Sequence, residues 1–218
     1  MELGDLIPRD VIEAVRDRLI VGVADAEAHF EYSEADEDAL TGALGQSISR
    51  NGPVTIQIGH EEYTVRTYYR KVRGRGFGAP EKPTGADGIF QIEVLNVTGR
   101  SVWTKGLPFQ SKKEWHGTDS RLASQARDMI ATTGQGLVID YSSSGYKACP
   151  AIAAVEHRGR ASAVSEARQF RPLGQILGND FLDCTIGVEG LSYDPESELF
   201  RTDEDVHVIA ATVQQPAS

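Results

Sequence analysis

A series of short runs of β-branched and aromatic residues, separated by turns and one helical segment, constrains the fold of this chain most strongly. The runs are VTIQIGH (54–60), EEYTVRTYYRKV (61–72), GIFQIEVLNV (88–97), GLPFQSKK (106–113) and GLVIDYSS (136–143), and such residues favour strands. Apolar residues recur at helical spacing in residues 11–30, 36–49 and 121–133. Ser120 is placed to cap the last helix, and Gly134 to end it. This order predicts a mixed α/β (α+β) fold, with a central mixed β-sheet flanked by helices.

The chain is expected to divide into a core and a C-terminal elaboration. Residues 1–158 are predicted to form the core, including an N-terminal helix, with a polar insert around residues 96–105 between the third and fourth strands. Residues 159–218 are rich in helix and loop signals and end in a strand-like DVHVIAATV (205–213). We therefore expect this second part to pack on the core as an elaboration, with a small separate subdomain as the alternative.

Composition places the chain among ordinary globular proteins. Its 218 residues, 40% of them hydrophobic, suffice for one domain with a buried core. The sequence lacks both a run of about 18 apolar residues and a basic, apolar leader, so a cytoplasmic protein with no membrane partner is expected. Cys149 and Cys184 lie far apart without metal-ligand spacing, which favours free thiols over a disulfide or a zinc site.

Charge is distributed unevenly along the chain. The formal net charge of -10 argues against a protein that coats nucleic acid nonspecifically, because lysine and arginine dominate phosphate binding. The segment from Arg66 to Lys82 is nevertheless basic, with Tyr68 and Tyr69 interleaved. The alternative interpretation is a solvated edge strand protected by its charges. The predicted nucleic-acid-binding residues are Arg66, Arg70, Lys71, Arg73, Arg75 and Lys113.

The strand-like LPFQSKK places two polar side chains on one face. Side chains alternate along a strand, so Gln110 and Lys112 point the same way. Asp87 stands where a loop enters the preceding strand, although Asp-Gly is also common in simple turns. Gln125, on the following helix, could face the site, but a solvated helix position is the favoured interpretation.

Glu37 is the candidate acid from the second helix. At about 100° per residue it falls about 20° from Leu44, inside the stripe that is expected to be buried. An inward carboxylate is costly unless it is paired or binds a metal. The alternative is an ordinary acid in the first helical turn, favoured by the helix dipole.

Together these residues predict a phosphodiester-hydrolysing site. Glu37, Asp87 and Gln110 offer the hard oxygen ligands that Mg²⁺ prefers. The metal can polarise a phosphoryl oxygen and activate water, while Lys112 steadies the developing charge.

The order of Glu37 on a helix, Asp87 at a strand start, Gln110-Ser-Lys112 on the next strand, then a helix and a further strand resembles the PD-(D/E)XK nuclease superfamily, which includes restriction endonucleases. The resemblance covers residues 34–157. It implies a restriction-endonuclease-like fold, with Asp87, Gln110 and Glu37 as ligands of Mg²⁺ or Mn²⁺ and Lys112 as the catalytic lysine. Gln110 departs from the Glu or Asp of most members.

The resemblance implies a Mg²⁺-dependent endodeoxyribonuclease that acts in a prokaryotic restriction or anti-phage defence system. DNA is expected as the substrate rather than RNA, with specificity supplied by a homo-oligomer or by a sensor or motor partner. Two alternatives stay open: a catalytically inactive subunit of the same fold that binds nucleic acid or a partner protein, and an unrelated small-molecule enzyme or interaction domain.

Overall fold

The computed structural model describes residues 2–72, 85–193 and 206–216. Its helices are α1 (Arg9–Ala28), α2 (Phe30–Ser33), α3 (Glu37–Ser49), α4 (Ser120–Thr133), α5 (Ala151–Glu156), α6 (Ala161–Glu166) and α7 (Leu173–Gln175), with a 3₁₀ turn at Leu3–Asp5 and a π-helical segment at Ile176–Phe181. Its strands are β1 (Val54–Ile58), β2 (Glu61–Val72), β3 (Gly88–Leu95), β4 (Ser101–Lys113), β5 (Leu137–Ser142), β6 (Gly145–Pro150), β7 (Arg171–Pro172), β8 (Val188–Glu189) and β9 (Val206–Gln214).

The strands form one open mixed sheet in the order β1-β2-β9-β3-β4-β5-β6-β7, with β8 paired to β4. The β3–β4 pair is antiparallel, whereas β4–β5 and β3–β9 are parallel. Helix α4 connects β4 to β5, as parallel neighbours require. The predicted mixed α/β class is confirmed.

Helices cover both faces of the sheet. Residues of α1 and α3 pack with Phe90 and Ile92 of β3 and with Ile139 of β5. Residues of α4 and α5 pack on the opposite face, against Val138 of β5. Because Val138 and Ile139 are adjacent in one strand, they point to opposite faces. Within the described residues, no helix has the length and apolar character needed to cross a membrane.

Two local features differ from the sequence prediction. The segment expected to be a polar insert is largely strand, because β4 starts at Ser101 and forms a hairpin with β3 through residues 96–100. The cap of α4 is Asp119 rather than Ser120, since its side chain accepts a hydrogen bond from the Leu122 amide at 2.8 Å. Gly134 ends α4 at a φ of 82°, as expected.

The C-terminal segment contributes a strand inside the sheet. Strand β9 lies between β2 and β3, so residues 206–214, which the sequence predicts to end an elaboration, pair with both of these strands. The backbone of Asp87 accepts a hydrogen bond from the His207 amide at 2.9 Å. A Cβ on Gly88 would lie 2.6 Å from the His207 carbonyl oxygen, so this close pairing requires a glycine directly after Asp87.

Candidate active site

A cavity of about 390 Å³ opens between the first turns of α3 and α4, where β3 begins and β4 ends. It contains the four residues that the sequence singles out for catalysis. The lining residues are Asp36, Glu37, Asp38, Thr41, Asp87, Gln110, Ser111, Lys112, Arg121, Gln125 and His207.

Asp87 is fixed at the centre of this cavity by hydrogen bonds from β4. Its Oδ2 accepts bonds from the amide and the hydroxyl of Ser111, both at 2.8 Å. Its Oδ1 accepts one bond, from Gln110 Nε2 at 3.0 Å. A carboxylate oxygen has two lone pairs, so Oδ1 keeps one acceptor position and Oδ2 is saturated.

The side-chain amide of Gln110 has a defined orientation. Its nitrogen donates to the Gly85 carbonyl at 2.6 Å and to Asp87 Oδ1 at 3.0 Å. An amide nitrogen carries only two hydrogens, so both are used and the amide oxygen points elsewhere. Gln110 therefore turns an N–H group, and not its oxygen, toward Asp87 Oδ1, in a residue that is only 2% exposed.

Burial and hydrogen bonding act in opposite directions on Asp87. Desolvation raises the pKa of this carboxyl above its ordinary value, although the Ser111 hydrogen bonds and the charges of Lys112 and His207 oppose the shift. Loss of water disfavours the charged form. A cation bound at Oδ1 would remove this cost, which makes Asp87 a suitable ligand.

Lys112 lies on the α4 side of the cavity. Its Nζ is 3.3 Å from Asp119 Oδ2, the carboxylate that caps α4. Burial acts to raise the pKa of Asp119, but the Leu122 amide and the Lys112 charge outweigh it and hold that pKa below its ordinary value. Asp119 therefore stays ionised and holds the ammonium group near the cavity.

Glu37 lines the cavity from α3. The position of Glu37 in the apolar stripe predicted a buried side chain, but the side chain is only partly buried. It is half-buried because it is the first residue of α3, where the helix is open to solvent on one side. Its Oε1 lies 3.5 Å from the Lys113 amide, which is at the long limit for a hydrogen bond and holds the carboxylate only weakly.

Four of the predicted nucleic-acid-binding residues, Arg66, Arg70, Lys71 and Lys113, fall within the described ranges, and none of these four lines the cavity. Lys71 binds both carboxylate oxygens of Asp38, at 2.7 and 2.8 Å. Lys113 donates to the Glu34 carbonyl and lies 3.6 Å from its carboxylate. Arg73 and Arg75 lie outside the described residues.

Arg66 and Arg70 lie on the opposite face of the sheet from α3. The Arg70 guanidinium stacks on Tyr68 and Tyr193, 6.0 and 5.2 Å from the ring centroids. Arg66 lines a separate cavity together with Tyr68. Strand alternation separates these even-numbered residues of β2 from Tyr69, whose ring faces α3.

Sequence reasoning missed His207, which lines the cavity from β9 and is 3% exposed. Its Nε2 lies 2.8 Å from Asp38 Oδ1 and its Nδ1 lies 3.0 Å from the Tyr69 hydroxyl. A hydrogen bond from Lys71 lowers the pKa of Asp38, with burial opposing the shift. The available signal was a histidine inside the apolar VHVIAAT.

Sequence reasoning also missed two residues on α4. Arg121 was given no role, and for Gln125 a solvated position was favoured over one facing the site, yet both line the cavity. Gln125 is half-buried. Recognising them required the position of α4 relative to β4.

The donor set fits a hard cation. Two carboxylates and an amide oxygen are available from Glu37, Asp87 and Gln110, and oxygen ligands of this kind suit Mg²⁺ with several retained waters. The described residues contain no group of three or more His, Cys, Asp or Glu side chains arranged to hold a metal. The expected set has only two such side chains, since its third donor is an amide.

Comparison of the chain with protein-family models, with curated proteins and with solved structures found no match.

Proposed function

We propose that this protein is a metal-dependent nuclease that hydrolyses phosphodiester bonds of DNA, with Mg²⁺ or Mn²⁺ as its cofactor. The observation that carries the proposal is the convergence of Glu37, Asp87, Gln110 and Lys112 on one cavity from three separate elements. Two of these residues are joined directly by a hydrogen bond, Gln110 to Asp87.

Each residue has a role that follows from its contacts. Asp87 Oδ1, the Gln110 amide oxygen and Glu37 would hold the cation, which supplies a polarised phosphoryl oxygen and an activated water. Ser111 holds Asp87 in place through two hydrogen bonds. Lys112, positioned by Asp119, stabilises the negative charge that develops on the phosphoryl group.

The arrangement of elements supports the resemblance to the PD-(D/E)XK superfamily. Asp87 precedes β3, Gln110 and Lys112 lie on the antiparallel neighbour β4, and α4 leads to β5, which runs parallel to β4. The resemblance implies action in a prokaryotic restriction or anti-phage defence system. It also favours a homo-oligomer or a sensor or motor partner as the source of specificity, since the basic residues of β2 are turned away from the cavity or paired.

A catalytically inactive subunit that binds nucleic acid or a partner protein is the second candidate. The observation that favours it is Gln110, because an amide contributes no negative charge toward holding a divalent cation. The two candidates differ in one measurable property, which is cleavage of DNA in the presence of the metal.

The test is nicking and linearisation of supercoiled plasmid by the purified protein with Mg²⁺, with Mn²⁺ and with EDTA. We expect cleavage only with a divalent metal, and a loss of at least about 100-fold in rate for Lys112→Ala and for Asp87→Ala, as is typical when a charge-stabilising group is removed. Asp128→Ala is the matched control, because Asp128 is exposed on α4 and does not line the cavity.

Three results separate the candidates. Cleavage that survives both substitutions would show that the activity does not come from this site. Plasmid that is bound but never cut by the unaltered protein would favour the inactive subunit. If the unaltered protein neither binds nor cleaves the plasmid, DNA is not its ligand and both candidates are wrong.

A further inference from the structure

The cavity has two walls of opposite charge. One wall is acidic and includes Glu37 of α3 and Asp87, which directly precedes β3. The wall on the α4 side is basic and carries Lys112 and Arg121. The carboxylates of the acidic wall would bind a metal cation. The phosphates of a DNA strand would be repelled by those carboxylates and attracted to the basic wall. The roles assigned above use Lys112 only and leave the α4 residues without a function.

Arg121 is suited to hold an anion. It is exposed, lines the cavity, and forms no ion pair within the ranges that the structure describes. Lys112 differs from it, because its ammonium group is paired with Asp119. A guanidinium can bind two phosphate oxygens at once, and none of the described carboxylates forms an ion pair with Arg121.

Gln125 supplies a second, independent observation. Its Oε1 is buried and accepts no hydrogen bond among the described residues, although it lies in the wall of the cavity. Buried acceptors are rarely left unpaired in folded proteins. Gln125 follows Arg121 by four residues, so it lies about 40° around the helix axis and one turn along it.

We propose that this side of α4 is the substrate-strand subsite. Arg121 binds a backbone phosphate beside the scissile one. The side chain of Gln125 turns its Oε1, which is covered in the protein alone, into the cavity, where it accepts a hydrogen bond from a base amino group of the same nucleotide. The inference rests on the proposed function for the nature of the ligand. It predicts that binding on this wall is separable from hydrolysis at Asp87 and Lys112.

The test is fluorescence anisotropy with a labelled DNA duplex and Mg²⁺, using the Lys112→Ala protein as parent so that bound DNA stays intact. We expect Arg121→Gln to weaken binding about tenfold or more and to reduce the slope of log K against log salt by about one. Arg127→Gln is the matched control, because Arg127 is exposed on α4, about 120° around the helix from Arg121, and does not line the cavity. It should bind within about twofold of the parent.

Gln125→Leu separates a ligand contact from a structural one. Its Oε1 has no partner in the described protein, so leucine should leave the melting temperature unchanged or higher while DNA binding falls. A fall in both stability and binding would show instead that Gln125 acts by supporting the fold, and would overturn its assigned role.

The outcomes distinguish this inference from the proposed function. If Arg121→Gln binds as the parent does, or if Arg127→Gln loses as much, the subsite is overturned, whatever the plasmid assay shows. If Arg121→Gln alone loses affinity and the unaltered protein never cleaves DNA, the subsite stands and only the catalytic proposal fails. A parent that does not bind the duplex overturns the subsite.

Discussion

At the scale of single residues, Gln110 and Asp87 fix each other's side-chain orientation through a direct hydrogen bond. The amide uses both of its hydrogens to fix its own orientation, one of them on Asp87. A glutamate at position 110 would lack those donors and would place a second carboxylate beside Asp87 in a desolvated environment. Glutamine therefore stabilises Asp87 through a hydrogen bond, but it would add no negative charge to the proposed cation site.

Replacement of Asp87 by Asn removes a carboxylate whose pKa is raised by burial, which stabilises the fold at neutral pH. It also loses the hydrogen bond from Gln110, because the amide nitrogen of asparagine cannot accept one. Because the lost hydrogen bond offsets part of the gain, we expect a net gain of no more than about 2 °C in thermal midpoint, which is less than about 1 kcal/mol for a chain of this size. The same change should abolish metal-dependent cleavage. Thermal denaturation monitored by circular dichroism measures the first effect, and the plasmid assay measures the second.

The gain from Asp87→Asn should depend on pH. Below the ordinary aspartate pKa of about 3.9 the carboxyl is neutral in folded and unfolded chains, so it adds no penalty. As pH rises from that value through the raised folded pKa, the unfolded chain releases its proton first and the unaltered protein loses stability. The difference in midpoint should therefore widen between pH 4 and pH 7. A constant difference would contradict a raised pKa.

The sequence predicted the individual residues of the site better than their surroundings. The shared face of Gln110 and Lys112 follows from strand alternation, which is a local rule. The helical spacing placed Glu37 on the buried face of α3. Spacing alone does not show that the sheet no longer covers the first turn of α3, where Glu37 is only partly buried. His207 was missed because its partners, Asp38 and Tyr69, lie on other elements.

At the scale of elements, the distance between α3 and β2 depends on one of the two glycines that face Tyr69. A Cβ on Gly45 would lie 2.2 Å from Cδ2 of the Tyr69 ring, whereas a Cβ on Gly42 would lie 3.5 Å from the Tyr69 hydroxyl oxygen. Only Gly45 permits the close approach of α3 to β2. That approach keeps the Tyr69 hydroxyl within 3.0 Å of His207 Nδ1.

The two glycines should respond oppositely to alanine. Gly45→Ala is expected to cost about 1–3 kcal/mol, because the ring of Tyr69 must move within a packed interface. Gly42→Ala should stabilise by about 0.5–1 kcal/mol, the usual gain for alanine in a helix interior. Urea denaturation of both variants measures the free energy of unfolding. Equal effects from the two variants would show that α3 is not placed by this contact.

Strand pairing within β1–β2 and β3–β4 was within reach of the sequence, because short turns join these neighbours. The insertion of β9 between β2 and β3 was not, since it pairs segments that are distant in the chain. No local sequence pattern shows that the apolar segment at residues 206–214 pairs with β2 on one side and with β3 on the other. The burial of β9 residues on both faces is the feature that a prediction from periodicity could have used.

At the scale of the whole molecule, β9 joins the two parts of the sheet. It pairs with β2 along Thr64–Val72 and with β3 along Gly88–Leu95. A chain that ends at residue 205 should therefore fail to fold, because it leaves two sheet edges and the residues beneath them exposed. We expect insoluble protein, or no cooperative thermal transition. A chain that ends at residue 216 keeps β9 and is the control, and a folded 1–205 chain would contradict this role.

The place of β9 also orders events during translation. Asp87, Gln110 and Lys112 leave the ribosome well before His207, whose amide is the partner of the Asp87 carbonyl. Until β9 emerges, β2 and β3 lack their shared neighbour and the cavity lacks one wall. For the proposed nuclease, the cavity is therefore complete only after β9 has left the ribosome, and we expect no cleavage of nucleic acid by the nascent chain before that point.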